Sequence, residues 1–270
     1  MTRGIPSLLA LSVLLAPGLV ERGGEPKPAK GQWVSIFNGR NLDGWKVKIA
    51  GHPLGDNFGD TFRVEDGILK VSYDRYRSFD GQFGHLFYDR KLSHYRIRVQ
   101  YRFTGKQIAG GPDWALFNSG VMIHGQSPES MGKDQKFPVS VEAQILGDDG
   151  SGKRTSGNVC TPGTLVVVSG KLVLDHCVVT SAKAVPPGTW TTMEVEVHGS
   201  GRVRHVVDGE VVSEYEKPQL DPDDPDGEAQ KIIRARGGER LLSDGYVSLQ
   251  AETQPIEFRK VELMLLDDGD

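Results

Sequence analysis

Apolar and polar side chains alternate at period two along most of this chain, and the 3.6-residue period of an amphipathic helix is nearly absent. Residues Tyr95 to Phe103 alternate without a break. Tyr95, Ile97, Val99, Tyr101 and Phe103 face one way, and Arg96, Arg98, Gln100 and Arg102 face the other. Val139 to Ile145 and Met193 to His198 read the same way. Val203 to Val207, then Asp208-Gly209, then Glu210 to Val212 predict a hairpin, because Asp-Gly favours a type I′ turn. Two further strands are predicted at Tyr246–Ala251 and Ile256–Leu263. Turn residues separate these runs at short intervals, as in a sandwich or jelly roll. Two long irregular stretches interrupt them, Gly125 to Phe137 and Lys217 to Asp244, the second with a short helix predicted at Glu228–Arg236. Long loops at a sheet rim are where sites are usually built. There is no internal repeat and no boundary to a second domain. The pattern predicts one all-β unit, a curved β-sandwich.

The N-terminal segment departs from this pattern. Arg3, an apolar run from Ile5 to Leu15, and then Ala16, Pro17 and Gly18 have the order of a signal peptide, and the run is too short to span a bilayer. An uncleaved anchor or a buried strand is the alternative. The expected organisation is a leader over 1–22, a Pro/Gly/Lys linker over 23–31 and the sandwich domain over 32–270, with export to a secreted or periplasmic location. A net charge of −4 supplies no basic field for nucleic acid. Cys160 and Cys177 are the two cysteines. Export permits a disulfide between them, worth about 3 kcal/mol in the chain-entropy model; two buried free thiols fit the sequence equally well.

Several familiar motifs fail on inspection. Gly147 to Lys153 nearly spells a phosphate loop, but Arg154 stands where Ser or Thr is needed and two aspartates would repel phosphate. It reads as a β-turn loop. The acidic run Asp221–Gly227 resembles a calcium loop, but Pro222 and Ile233 occupy ligand positions, so it reads as a solvated acidic loop. No GxSxG, HExxH or GxGxxG occurs. The Glu-x-Asp-x-x-Glu strand that would carry an acid and a nucleophile on one face is also missing. Glu194 and Glu196 share a face, but they read as a solvated one.

Six segments, taken together and in order, carry a resemblance: Phe37–Trp45, Phe62–Leu69, Asn118–His124, Val141–Leu146, Gly245–Gln250 and Ile256–Val261. The chain resembles the 3-keto-disaccharide hydrolase domain family over roughly Gln32 to Leu266. After Leu249-Gln250-Ala251-Glu252, where that family often carries His, this chain has Thr253 and Gln254. The resemblance implies a concanavalin A-like jelly-roll sandwich. It also implies an exported bacterial protein that cleaves glycosides whose C3 hydroxyl has been oxidised to a ketone. Such a ketone acidifies the hydrogen on C2, so one base, an electrophile at the ketone oxygen and a sugar platform suffice, with elimination at C1 followed by hydration. The missing hydrolase carboxylate strand is consistent with that route.

Counting by two, Asn118, Gly120, Met122 and His124 share one side of a strand, and Glu142 and Gln144 share the polar side of the next. His124 and Glu142 are therefore expected as neighbours on an open, concave face, either one as the base, or both as ligands of a divalent cation that polarises the ketone. The bland alternative is a satisfied histidine and a Glu142–Arg98 pair. Asn118, Gln144 and His85 are expected to bind substrate, with Tyr76 and Trp114 stacking on sugar rings. Phe79 is expected in the core; His176, His198 and His205 are expected to be structural or exposed. The partner is then an oligosaccharide or glycoside. A non-catalytic lectin-like module and a conventional glycosidase are the competing functions.

Overall fold

The computed structural model describes Met1 and residues 30–267. The expected leader over 1–22 therefore lies outside the described residues except for Met1, and the linker over 23–31 does so except for Lys30 and Gly31. Lys30 bridges to Leu265 and pairs with Asp267. Among the described residues no helix is long and apolar enough to cross a membrane.

Two antiparallel sheets form the sandwich. In spatial order, the seven-stranded sheet holds β12 (Cys177–Val178), β9 (Asn158–Cys160), β8 (Val141–Leu146), β7 (Asn118–Gly125), β16 (Gly245–Ala251), β5 (Gly84–Leu92) and β2 (Trp45–Ile49). The ten-stranded sheet runs β11 (Lys171–Val173), β10 (Thr164–Val168), β15 (Glu210–Leu220), β14 (Arg202–Val207), β13 (Thr191–His198), β6 (His94–Phe103), β17 (Ile256–Leu265), β4 (Ile68–Val71) and β3 (Phe62–Glu65), with β1 (Val34–Ser35) paired to β17. The predicted strands and the Asp208-Gly209 hairpin are present, and the helix, α1, spans Glu228–Ala235.

Alternation decides which face meets the core. Tyr95, Ile97, Val99, Tyr101 and Phe103 are buried against Val121, Ala143, Val159 and Leu249 of the facing sheet. Such side chains contribute roughly 1.5–3 kcal/mol each relative to exposure. The other face of the ten-stranded sheet is an ion-pair ladder: Arg96–Glu194, Arg98–Glu262 at 2.7 Å, Arg102–Glu257 at 2.7 Å and Arg204–Glu214 at 2.6 Å. Trp33 covers Arg98 and Trp190 covers Arg102 and Arg259. Glu194 is thus paired, as a strand-face carboxylate should be, and Arg98 serves Glu262 rather than Glu142.

Cys160 and Cys177 form a disulfide between directly paired residues of β9 and β12, so the free-thiol alternative is set aside. The acidic run is not wholly solvated. Asp224 is buried, and its Oδ2 accepts from the Ala229 N–H at 2.8 Å, satisfying a donor in the first turn of α1. That helix packs Ala229, Ile232 and Ile233 against Val139, Leu220 and Leu242.

Candidate active site

The site is built on the face of the seven-stranded sheet turned away from the core. Directly opposed residues share a face. One row crosses the sheet as Lys48, His85 and Gln250, then Gly120, Gln144 and Asn158, since the Leu249–Val121 pairing brings Gln250 opposite Gly120. The next row runs Lys46, Phe87, Ser248, Met122, Glu142 and Cys160. Glu252 follows two residues after Gln250 and lies close enough to Glu142 for the two carboxyls to feel one another.

This face is polar, and much of it is buried. His85, Ser248, Gln250, Glu252, Asn118 and Glu142 are all under a tenth exposed. Each also presents an atom with no hydrogen-bond partner: both ring nitrogens of His85, Ser248 Oγ, Gln250 Oε1, Glu252 Oε2, Asn118 Oδ1 and Glu142 Oε1. Most buried polar groups in folded proteins are paired, and leaving one unpaired costs roughly 1–3 kcal/mol. Six such residues share one face, which makes it the candidate site.

Burial sets the protonation states. It raises the Glu142 pKa well above the usual carboxylate range. Glu252 is raised by burial first and by the neighbouring Glu142 charge second, while Arg154 pulls it back down. Two such acids cannot easily ionise together, so near neutral pH the pair holds at least one proton. The His85 pKa falls to about 3 through burial and the nearby Lys48 charge, so the ring is neutral. The bare Cα of Gly120 gives the Glu142 side chain its room: a Cβ there would lie 2.7 Å from Glu142 Cγ and 2.8 Å from Cδ.

A strap over residues 126–139 covers one end of this face. Lys48, itself buried, reaches up to it and donates to the Lys133 carbonyl at 2.8 Å. The Phe137 ring sits 6.1 Å from that of His85 and 4.7 Å from that of Phe83. Trp114 stacks on Phe83 at 5.8 Å with its own ring about half exposed, a ready platform for an apolar sugar face. Beyond Phe137 a cleft of about 980 Å3 opens toward Leu174, His176, Asp221 and Asp226. Neither Glu142 nor Glu252 lines it.

Among the residues singled out from sequence, Glu142, Asn118, Gln144 and His85 are brought to this one face, and Trp114 to its rim. Gln144 accepts there from Asn158 at 3.0 Å. Two are placed elsewhere. His124 does not face Glu142. Three residues of β7 span what two of β16 span between the Tyr246–Gly125 and Ser248–Met122 pairs, so β7 carries a bulge, and His124 sits in it at φ +50°. Its Nε2 donates to the Gly199 carbonyl, at the β13–β14 turn of the other sheet, at 2.8 Å. A Cβ at Gly245 would collide with the bulged backbone, so glycine is needed there. His124 is also buried, as is Glu142, so neither side chain lies on the open surface expected of it. The His124–Glu142 pair that could have held a divalent cation does not form, and the described residues contain no group of three or more His, Cys, Asp or Glu placed to hold a metal ion. Tyr76 is a core residue, packed edge-on to Tyr73 and Phe58, with its hydroxyl bonded to Thr61. Phe79 is buried as expected, and His205 is structural, held between the Gly157 carbonyl and the Tyr215 hydroxyl.

Residues 32–264 match the model of the 3-keto-alpha-glucoside-1,2-lyase-like domain. The chain belongs to that family. Two solved structures from Parabacteroides distasonis, both described as candidate glycosyl hydrolases, share the fold of this family member. One is 22% identical, with a TM-score of 0.51, 87% of this chain covered and 94% of the other. The second is 17% identical, also with a TM-score of 0.51, and covers 87% of this chain and 100% of the other. Among proteins of curated function, none matches. Membership of that family makes this a carbohydrate-active type of domain.

Sequence reasoning missed Glu252, Gln250 and Lys48. Ser248 and Gln250 alternate with core residues along β16 just as Glu142 and Gln144 do along β8, and Glu252 continues that alternation one residue past the strand's end, which is the signal in the sequence. The hydrolase carboxylate pattern lies along a single strand, whereas here one acid comes from β8 and the other from just past the end of β16.

Proposed function

We propose that this protein cleaves glycosides carrying a ketone at C3, by removing the C2 proton and expelling the C1 substituent, with water adding afterwards. The observation that carries this reading is the Glu142–Glu252 pair, buried on the same sheet face as the unpartnered His85 and Gln250. A pair that shares a proton offers both catalytic forms at once. The carboxylate takes the C2 proton, and the carboxylic acid protonates the departing C1 oxygen. The neutral His85 ring can donate an N–H to the ketone oxygen as enolate charge develops there. Gln250, Asn118 and Gln144 hold sugar hydroxyls, Trp114 supplies the platform, and the cleft beyond Phe137 receives the C1 substituent. A purely lectin-like role fits less well, because two unpaired buried acids lower stability and a binding face has no use for them.

The test is a paired assay on a 3-keto-glucoside and its unoxidised parent. Only the oxidised sugar should be cleaved, and Glu142→Gln and Glu252→Gln should each lower turnover by about 10²-fold or more. Equal cleavage of both sugars would refute the ketone-dependent route and favour a conventional glycosidase using the same two acids. Full activity in both variants would refute the site. We further propose export with removal of the leader. Mass analysis of the native protein should show loss of roughly the first 16–30 residues, and an intact Met1 would refute it.

A further inference from the structure

A second cleft, of about 500 Å3, lies where α1 meets the ends of β7 and β16, outside the site described above. Val139, Leu220, Ile232, Leu242 and Tyr246 give it largely apolar walls. The charges around it are engaged. Lys91 and Asp244 pair at 2.8 Å, and the Arg236 guanidinium donates to the Leu241 carbonyl at 2.8 Å. His124, turned out of the sheet face by its bulge, lines this cleft.

The state of the His124 ring follows from its one partner. The Gly199 carbonyl can only accept, so Nε2 carries the ring proton. Burial keeps the ring neutral, with its pKa pushed down to about 4. Nδ1 is then a bare acceptor, buried and without a partner. A hydrocarbon in the cleft would leave it unpaired, and a carboxylate would set negative charge against its lone pair. The other polar residues of the lining, Gln126, Ser127 and Ser130, are bonded among the residues of the strap itself, so these walls cannot satisfy the several hydroxyls of a sugar.

We propose that this cleft binds a small uncharged aromatic alcohol, its ring against Leu220, Ile232, Leu242 and Tyr246 and its hydroxyl donating to His124 Nδ1. The volume lies within the range of small-molecule sites. Phenol is the probe, and anisole, of similar shape but with no proton to donate, is its control. Ligand-observed NMR titrations of the full chain should show phenol binding at least about ten-fold more tightly than anisole, the worth of one good hydrogen bond. Leu242→Trp, which fills the cleft, should abolish both. His124→Phe should erase the preference. Absence of phenol binding, equal affinity for phenol and anisole, or undiminished phenol binding by Leu242→Trp would each overturn the proposal. If His124→Phe fails to fold, the phenol-to-anisole ratio and Leu242→Trp still decide.

Discussion

Gly120→Ala is the smallest change that should disable the candidate site without disturbing the fold. Gly120 lies in mid-strand with no positive φ, so alanine is welcome to the backbone and should by itself add roughly 0.5–1 kcal/mol relative to glycine. The obstacle is Glu142. The new Cβ would sit 2.7 Å from Glu142 Cγ, 2.8 Å from Cδ and closer still to Oε1. Ordinary carbon contacts begin near 3.5 Å, so the carboxyl must shift by nearly 1 Å. Swinging it off its rotamer costs about 0.5–1.5 kcal/mol, which roughly cancels the backbone gain. A melting temperature within a few degrees of wild type is therefore expected, since about 1 kcal/mol moves a domain of this size by roughly 2–4 °C. A displacement of 1 Å at a catalytic group can cost about 10²-fold in rate. Kinetics on a 3-keto-glucoside should show that loss in kcat. The double variant Gly120→Ala/Glu142→Gln should be no slower than Glu142→Gln alone, because both changes remove the same group. Wild-type kcat in Gly120→Ala, or additive losses in the double variant, would refute the role given to Glu142 and its glycine cradle.

Three other outcomes follow from the structure. Glu142 and Glu252 have folded-state pKa values raised above the ordinary 4.5, so their contribution to stability is complete below that pH and is lost as pH rises toward the folded values; thermal melts from pH 4.5 upward should decline, and an unchanged slope in Glu252→Gln would contradict this. Reducing Cys160–Cys177 removes a loop constraint across a separation of 17 residues, which should lower stability by about 3 kcal/mol in urea titrations, whereas coincident curves with and without reductant would exclude it. His124→Ala should lower the melting temperature by several degrees while leaving Glu142 in place, because it empties a buried position bonded to Gly199; a variant as stable as wild type but inactive would return His124 to the catalytic group.

The sequence by itself determined the fold class, most strand positions and the polar strip of β8. Period-two alternation is a local property, and the alternating set must face the core wherever the strand pairs. The ordered segments likewise identified the family. Three matters were decided only by tertiary structure. Alternation assumes a regular strand, and the bulge at His124 breaks it; that bulge depends on Gly245, more than a hundred residues away in the chain. Exposure at Glu142 is also a tertiary matter: its strand alternates as an open one would, yet the carboxyl is buried, lying over the bare Cα of Gly120 on the neighbouring strand. The partner acid, Glu252, is 110 positions from Glu142 along the chain. The two meet only because β16 lies next to β7 and β7 next to β8. Strand order is set by long-range pairing, and no spacing rule within one segment can reveal it.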